Sequence, residues 1–474
     1  MGYPRAKYNK IILLVIIISS IIILTAQSRL SGIKIINTGT TTELSQYGIT
    51  WIFKNPVTFG TYVNGDYWVI GPVEIVEITP ASTDIAGRIK NGSMINPDPT
   101  MGNVQGFDSS ARDIAYLSEL NVARPNGNNL SSSNSLIVPA GSSLISSISY
   151  PVEGNRPQIT DAAVLTVVSV APADGAFRPP YCGRDKEAHY NYSQVDTSLL
   201  QRLTPVPGTP TMSEAASFFR RPWIDFVQDW PQRDVHAANN MPSYGRDIAS
   251  RVGVGALMLH LDFSVSEKKE LLVGYLQVGI DLWGIIQAGG IGYLPNGGHA
   301  SGRKWPILFA GLLLGDSEMQ NIGPGDGTGV AYFGEDAQTF YVAQSDIDIT
   351  NSSLWYIDDR HDDPQPYNSS LLGMPEWSIR AATEPQRGDA SWGRMYRVCC
   401  TATAWSGFVL AARIMGVVDL WDHDALFDYQ DRYMALMNGE PDPFGYTVNS
   451  QPTEPFEDFR AWTDFEENMW DAYR

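Results

Sequence analysis

Cysteine is scarce in this chain, with three residues among 474. Cys182 stands alone, and Cys399 is followed directly by Cys400. Three cysteines close at most one ordinary disulfide, which excludes a disulfide-stabilised scaffold, and no Cys/His spacing resembles a zinc site. Cys399 and Cys400 fall within an apolar pattern of helical period over residues 396–415. We therefore expect both to behave as small buried hydrophobes in a helix.

Basic residues are also in short supply, with 33 Lys and Arg against 52 Asp and Glu and a net charge of −19. A protein that binds nucleic acid needs a basic surface that releases counterions from phosphates. The charge balance therefore argues against a nucleic-acid partner. It does not exclude an anionic substrate, because a local group of arginines can form a basic cleft in an acidic protein.

The N-terminus carries a uniformly apolar run over residues 11–25, preceded by Arg5, Lys7 and Lys10. The run is shorter than the roughly 20 residues that span a bilayer as a helix. We predict that residues 1–28 are a secretory signal or, if uncleaved, a membrane anchor. Either way the rest of the chain is exported to a secreted, periplasmic or cell-surface location, and membrane contact is limited to this segment.

Residues 29–185 have the composition of β-strands. The segments rich in β-branched and aromatic residues are 50–53, 67–70, 73–78, 135–138, 143–149 and 163–170. Asn64-Gly65-Asp66 is a hairpin-turn signal between two of them. Short strands separated by Gly, Pro, Asn and Ser clusters favour an antiparallel β-sandwich. Two prolines, Pro179 and Pro180, mark an extended exit from it.

The pattern then changes to helical period. Residues 186–243 are predicted to be a linker with a first helix, and residues 244–474 an all-helical domain with a strand-like insert at 330–333 and 338–342. The helical segments are 213–225, 244–261, 266–288, 303–314, 396–415, 418–437 and 458–473. Several are apolar on more than one side, as expected for hairpins stacked in a ring. The predicted fold class is therefore multidomain α and β, an N-terminal antiparallel β-sandwich followed by an incomplete α/α toroid of helical hairpins.

Three polar loop clusters carry chemistry. The first is a glycine-rich loop that delivers His299 and Arg303, four residues apart, to the start of an apolar helix. The second covers residues 355–363 and the third residues 387–397; they contain Trp355, Asp358, His361, Trp392, Arg394, Tyr396 and Arg397. Glycines on both sides of a histidine, with an arginine nearby, favour a functional role over a solvated side chain.

β-Elimination on a uronic-acid polymer needs three groups. One neutralises the C6 carboxylate, a base removes the C5 proton, and an acid protonates the leaving glycosidic oxygen. Arginine suits the first role, and histidine and tyrosine suit the other two. The set His299, Arg303, Tyr396 and Arg397 contains all three types.

The residues 297–305 and 394–397, together with the helical hairpins, resemble the α/α-toroid polysaccharide lyases, which include alginate lyase-like enzymes. The resemblance covers residues 200–474 and implies an anionic polysaccharide substrate. It implies His299, Arg303, Tyr396 and Arg397 as catalytic residues, and Asn296, Arg394, Trp392, His361, Trp355 and Glu335 as substrate-binding residues. The chain departs from the family in its domain order, since toroid lyases usually place the sandwich after the helices.

Two other functions stay open. A toroid glycoside hydrolase would use two carboxyl groups, for which Glu335 and Asp358 are the candidate pair. A non-catalytic glycan-binding protein would need only an aromatic-lined groove. We expect no cofactor except a structural calcium ion. The acidic run 358–363 is the candidate calcium site, and the alternative is that this run is solvated surface.

Overall fold

A computed structural model of the chain describes residues 38–227, 230–240, 245–352, 366–377, 398–445 and 460–474. Strands occupy the first part of this range and helices dominate the second. The predicted class, α and β with the strands first, is confirmed. The predicted signal or anchor at residues 1–28 lies outside the described residues.

The strands are mostly short and bounded by turns. In chain order they are β1 (Gly39–Gln46), β2 (Ile49–Thr61), β3 (Tyr67–Ile70), β4 (Val73–Thr79), β5 (Thr83–Ile85), β6 (Arg88–Lys90), β7 (Ser93–Ile95), β8 (Val104–Gln105), β9 (Ala115–Tyr116), β10 (Leu136–Val138), β11 (Ser142–Ser149), β12 (Ile159–Val168), β13 (Thr339–Tyr341) and β14 (Pro375–Trp377). The six segments that the sequence pattern predicts as strands all form strands.

Eight of these strands form one sheet. Its order is β10-β4-β2-β3-β12-β11-β7, with β1 paired to β2. The predicted hairpin turn joins β2 to β3, and Gly65 takes the left-handed backbone that the turn requires (φ 89°). The prediction of wholly antiparallel pairing is wrong at two places, because β9 lies parallel to β8 in a small separate sheet, and β12 lies parallel to β3. Parallel strands need a long connection, and the many residues between β3 and β12 provide it.

The sheet is buried on both faces around β11 and β12. Along β12, Ala162 and Val164 contact the helical part of the core, whereas Ala163 and Leu165 belong to a second cluster with Trp51 on the opposite face. Because neighbouring side chains of a strand point to opposite sides, this alternation shows that β12 lies between two apolar layers.

Several of the described helices begin or end at ordinary capping signals. They are α1 (Met212–Ser217), α2 (Gly245–Leu259), α3 (Val265–Gln287), α4 (Lys304–Leu314), α5 (Ser317–Gln320), α6 (Gly334–Ala337), α7 (Gln344–Thr350), α8 (Ala402–Met415), α9 (Val418–Trp421), α10 (Asp424–Met437) and α11 (Asp464–Tyr473). Ser264 and Glu267 form a capping box on α3. Gly416 ends α8 in the left-handed conformation.

Two helical predictions and one strand prediction need correction here. The helix predicted for 213–225 stops at Ser217, because Pro222 cannot lie inside a helix and disfavours helical backbone before it. The helix predicted for 418–437 is two helices, separated at Asp422, whose φ is 59°. The insert predicted as strand at 330–333 forms only isolated bridges at Tyr332 and is followed by the short helix α6.

Cys399 and Cys400 are bonded to each other as an adjacent-residue disulfide. The expectation that both behave as unbonded small hydrophobes is therefore wrong, whereas both are helical as expected. Thr401 has a non-helical backbone (φ −125°, ψ −86°) and α8 begins only after it, so the predicted helix over 396–415 is interrupted there. Cys182 is buried and unbonded.

The helices pack in close pairs and share a core with the sheet. On α2 and α8, Gly253 and Gly407 face each other, and on α3 a Cβ at Gly279 would meet the backbone of Pro306 on α4 at 2.2 Å. One apolar cluster joins sheet residues such as Ile145 to helical residues such as Leu276. Residues 40–474 accordingly form one compact unit.

Candidate active site

The glycine-rich loop is held tightly between α3 and α4. A Cβ at Gly298 would lie 2.3 Å from the Cys400 carbonyl oxygen, and one at Gly302 would lie 2.7 Å from Cα of Ala249. Neither glycine tolerates a side chain without movement of a neighbouring backbone. The glycines therefore place His299 firmly, with the backbone N–H of His299 donating to the Asn296 carbonyl at 3.0 Å.

His299 is held as a neutral imidazole. Burial lowers its pKa to about 3, and the nearby charges of Arg233, Arg303 and Arg156 act in the same direction. At neutral pH the ring is therefore unprotonated, and a proton that it accepted would be held only weakly. A bound anion would offset the arginine charges and raise this pKa again.

Arg303 lies beneath the site rather than on its surface. Its side chain is fully buried, with Nε 2.8 Å from Oδ2 of Asp225 and Nη1 donating to the Ser301 carbonyl at 2.8 Å. His236 Nε2 lies 2.9 Å from the other Asp225 oxygen. Burial alone would raise the pKa of Asp225, but Arg303 and His236 outweigh it and hold that pKa far below its usual range. The carboxylate is therefore ionised and fixes both partners.

A second group of cations surrounds His299 and was missed by the sequence reasoning. Arg156 Nε lies 3.4 Å and Arg233 Nε lies 3.7 Å from Oδ1 of Asp234. Asp234 is fully buried, and burial raises its pKa to about 6 although the arginines oppose the shift. The charged and titratable residues of Arg233-Asp234-Val235-His236 are the signal in the sequence that could have indicated this group.

Glu335 is a buried acid on the helix α6. Its Oε2 accepts from the backbone N–H of Gly302 at 3.0 Å, which ties α6 to the glycine-rich loop. Burial raises the pKa of Glu335 to about 7, and the charge of Asp336 adds to the shift. The Asp336 side chain points elsewhere, to Lys304 and to Nε1 of Trp421 at 2.7 Å. The two adjacent acids thus have different contacts, and the raised pKa of Glu335 makes it a candidate proton donor.

Two further residues of the first loop have defined positions. Asn296 is partly buried and closes the turn under His299. Tyr293 is buried with its ring centre 5.8 Å from the Arg303 guanidinium carbon, and burial raises its pKa well above the usual value. Its hydroxyl group therefore stays protonated.

The other predicted site residues lie outside the described residues: Trp355, Asp358, His361, Trp392, Arg394, Tyr396 and Arg397. The described part of the chain brings together His299, Arg303, Asn296 and Glu335 from the predicted set. Cys400, close to the third loop cluster in sequence, contacts Gly298.

Several buried polar atoms with no hydrogen-bond partner lie on this loop or on residues linked to it. Among the described residues they include Asp234 Oδ1 and Oδ2, His236 Nδ1, Ser301 Oγ and Glu335 Oε1. Buried polar groups in folded proteins are normally paired. Together with His299 and the arginines, these atoms make this region the candidate binding site for a polar ligand.

No protein-family model, curated protein or solved structure matches the chain. The likeness to toroid lyases therefore depends on residue types alone. Across the described ranges, no group of His, Cys, Asp and Glu is arranged to hold a metal ion, and no described helix is long and apolar enough to cross a membrane.

Proposed function

We propose that the chain is an exported, polysaccharide-active enzyme that cleaves a uronic-acid-containing glycan by β-elimination. The observation that carries this proposal is a neutral imidazole, His299, held beside three arginines in a region rich in unpaired buried polar atoms. The arrangement supplies a proton acceptor next to a positive field, which is what proton removal beside a carboxylate requires.

The residues divide the reaction as follows. Arg156 and Arg233 bind the substrate carboxylate and make the C5 proton more acidic. His299 takes that proton, the C4–oxygen bond breaks, and a C4–C5 double bond forms. Tyr396 is the predicted donor of a proton to the leaving oxygen, with Arg394 and Arg397 as further carboxylate contacts and Trp355, Trp392 and His361 along the substrate. Arg303 acts through Asp225 as a positioning residue.

We also propose that the chain forms a β-sandwich beside an incomplete toroid of helical hairpins. This arrangement would place the three loop clusters on one rim. The close pairing of α2 with α8 and of α3 with α4 supports that arrangement, because stacked antiparallel helices gather alternate loops on one side.

The proposal predicts the effect of His299→Ala. Removal of the base should lower kcat by about 10²–10⁴-fold on a uronate polymer, with the far-ultraviolet circular dichroism unchanged. The matched control is His189→Ala, which removes an exposed histidine that pairs only with Asp185 and should leave kcat unchanged. Equal loss of activity in both variants would contradict the role of His299.

A second function, hydrolysis, is favoured by one observation. The raised pKa of Glu335, about 7, leaves a large share of this acid protonated at neutral pH, and a glycosidase general acid must carry a proton. Its predicted partner is Asp358. Glycan hydrolysis would release reducing ends without a new double bond, and Glu335→Gln would abolish it. Saturable glycan binding without either product would instead indicate the non-catalytic alternative.

A further inference from the structure

The disulfide between Cys399 and Cys400 adjoins the loop that carries His299. A Cβ at Gly298 would lie 2.3 Å from the Cys400 carbonyl oxygen and 2.8 Å from the Cys400 Cβ. The backbone of the glycine-rich loop, one residue before His299, therefore packs directly on the bonded pair, with room for no side chain between them. The proposed mechanism gives this disulfide no role, although it borders the loop of the candidate base.

The start of α2 contacts both the cysteine pair and His299. Nη1 of Arg246 donates to the Cys399 carbonyl at 2.6 Å. The preceding residue, Gly245, packs on the imidazole, because a Cβ there would lie 2.7 Å from Nδ1 of His299 and 2.9 Å from its Cα. The cysteine pair, the first turn of α2 and the glycine-rich loop are thus connected by contacts, so a displacement of the pair changes the packing around His299.

The disulfide restricts the backbone at this point. A bond between the side chains of neighbouring residues closes a small ring that includes the peptide bond joining them, so the two residues cannot move independently. Thr401 then leaves helical geometry (φ −125°, ψ −86°) before α8 begins. The pair is therefore separated from α8 by a break in the helix, and the covalent ring is the constraint that reduction would remove.

We propose that this disulfide is a redox switch for the candidate site: its reduction releases the backbone next to Gly298 and displaces His299, and reoxidation restores both. Disulfides form and persist in the oxidising surroundings of an exported protein, so the bonded state is the active one. The effect on glycan cleavage rests on the proposed function; the change in the glycine-rich loop does not.

A dithiol reductant supplies the two electrons and two protons of the reduction. Its thiolate attacks the sulfur of Cys399, which is partly exposed, whereas Cys400 is 4% exposed. The S–S bond breaks, and Cys400 leaves as a thiolate that takes a proton. The second thiol of the reductant then attacks the mixed disulfide, releases Cys399 as the second thiol and closes the reductant's own disulfide.

Hydrogen exchange of the full chain with and without dithiothreitol tests the proposal. Mass spectrometry of the peptide that contains Cys399 and Cys400 confirms that both thiols are free. The backbone amides of residues 297–303 should then exchange about tenfold faster, because a segment that loses a constraint opens more often, whereas those of β12 should be unchanged. Oxidised glutathione, added after the reductant is removed, should restore the slow exchange. Turnover of a uronate polymer should fall by about 10- to 100-fold on reduction, since misplacement of a catalytic group by about 1 Å can have that effect.

Two variants separate the switch from a general effect of the reductant. Cys399→Ser/Cys400→Ser should show the fast exchange both with and without dithiothreitol. Cys182→Ala removes the buried, unbonded cysteine and should respond to dithiothreitol as the wild type does. If the double variant fails to fold, the wild-type comparison, with β12 as its internal reference, still tests the proposal.

The possible results differ in what they overturn. Equal exchange of residues 297–303 in the two redox states, or a disulfide that dithiothreitol does not reduce in the folded chain, would overturn the switch. A double variant that still responds to dithiothreitol would do the same. Faster exchange on reduction with unchanged turnover would show that the disulfide does not control the site. Faster exchange without an unsaturated product in either state would support the switch and refute the lyase.

Discussion

At the scale of single residues, burial decides which side chains carry charge. Glu466 on α11 is fully enclosed, with Oε2 accepting from Thr463 at 2.8 Å and from Ser250 at 3.2 Å. Burial raises its pKa to about 8, although the two hydroxyl groups and Arg251 favour the ionised form. The folded protein therefore holds Glu466 in its protonated form at neutral pH.

This state predicts a stability that depends on pH. Because the folded pKa lies above the unfolded value of about 4.3, stability is lost as the pH rises from about 5 to about 8 and is constant above that. Glu466→Gln removes this one contribution. As the pH rises across that window, the free energy of unfolding of Glu466→Gln should increase relative to that of the wild type by about 1.4 kcal/mol per pH unit.

Urea denaturation at pH 5, 6, 7 and 8 measures the difference. Glu467→Gln is the matched control, because Glu467 is partly exposed and pairs with Arg460. It should shift stability by a similar amount at every pH. An equal pH slope for Glu466→Gln and the wild type would show that Glu466 is ionised in the folded state.

At the scale of elements, the crossing of α2 and α8 depends on two glycines. A Cβ at Gly253 would lie 2.8 Å from Glu466 Oε1 and 2.8 Å from Gly407 Cα, and a Cβ at Gly407 would lie 2.6 Å from the same oxygen. These distances are shorter than non-bonded contacts allow. The small residues let the two helices approach and let the Glu466 side chain reach their crossing.

Gly253→Ala and Gly407→Ala should each lower the free energy of unfolding by about 1–3 kcal/mol through overpacking. The gain in helix propensity, up to about 1 kcal/mol, acts in the opposite direction. The double variant should lose less than the sum, because both methyl groups force the same helices apart. Chemical denaturation checks this, and stabilisation by either single variant would contradict the packing.

The elements that the sequence predicted correctly are those with a strong period. β12 and α3 are long, and their apolar residues recur regularly. The backbone conformation that their residues favour is therefore the one that also buries their apolar side chains. The errors occur where one residue changes the backbone: Pro222 shortens α1, Asp422 divides a helix, and Thr401 precedes α8. Apolar periodicity continues through such positions and does not reveal the break.

The candidate site was predictable in part for the same reason. His299 stood out because the glycines around it are local in sequence. Arg156, Arg233 and Asp234 come from the approach to β12 and from a 3₁₀ segment far along the chain, so only the fold brings them together. Arg303 was recognised as important, but its burial against Asp225 could not be read from its neighbours.

At the scale of the whole molecule, buried ion pairs join the sheet to the helices. Arg178 in the connector after β12 donates to Asp66 at the β2–β3 turn at 2.6 Å and to Asp281 on α3, with Nη1 3.0 Å from Oδ1. All three side chains are buried. Burial and Asp66 raise the pKa of Asp281, although Arg178 opposes the shift. One guanidinium thus links a strand turn, the connector and the longest described helix.

Arg178→Met should lower the free energy of unfolding by about 3–5 kcal/mol, because two buried carboxylates lose their counter-charge. The exposed pair Arg202–Asp262 provides the control, and Arg202→Met should change stability by less than about 1 kcal/mol. Guanidinium denaturation gives both values. A loss in Arg178→Met no larger than in the control would show that the buried pair does not hold the sheet and helices together.

The central claim, cleavage of a uronate polymer by elimination, is tested most directly by ultraviolet absorbance. The purified protein is incubated with a panel of uronic-acid polysaccharides and with a neutral polysaccharide, and the absorbance of the unsaturated product is followed together with the reducing ends. The account predicts that both signals rise together on at least one uronate polymer, stay flat on the neutral one, and are lost in His299→Ala. Reducing ends without the absorbance would identify a hydrolase, and no product on any polymer would contradict the enzyme assignment.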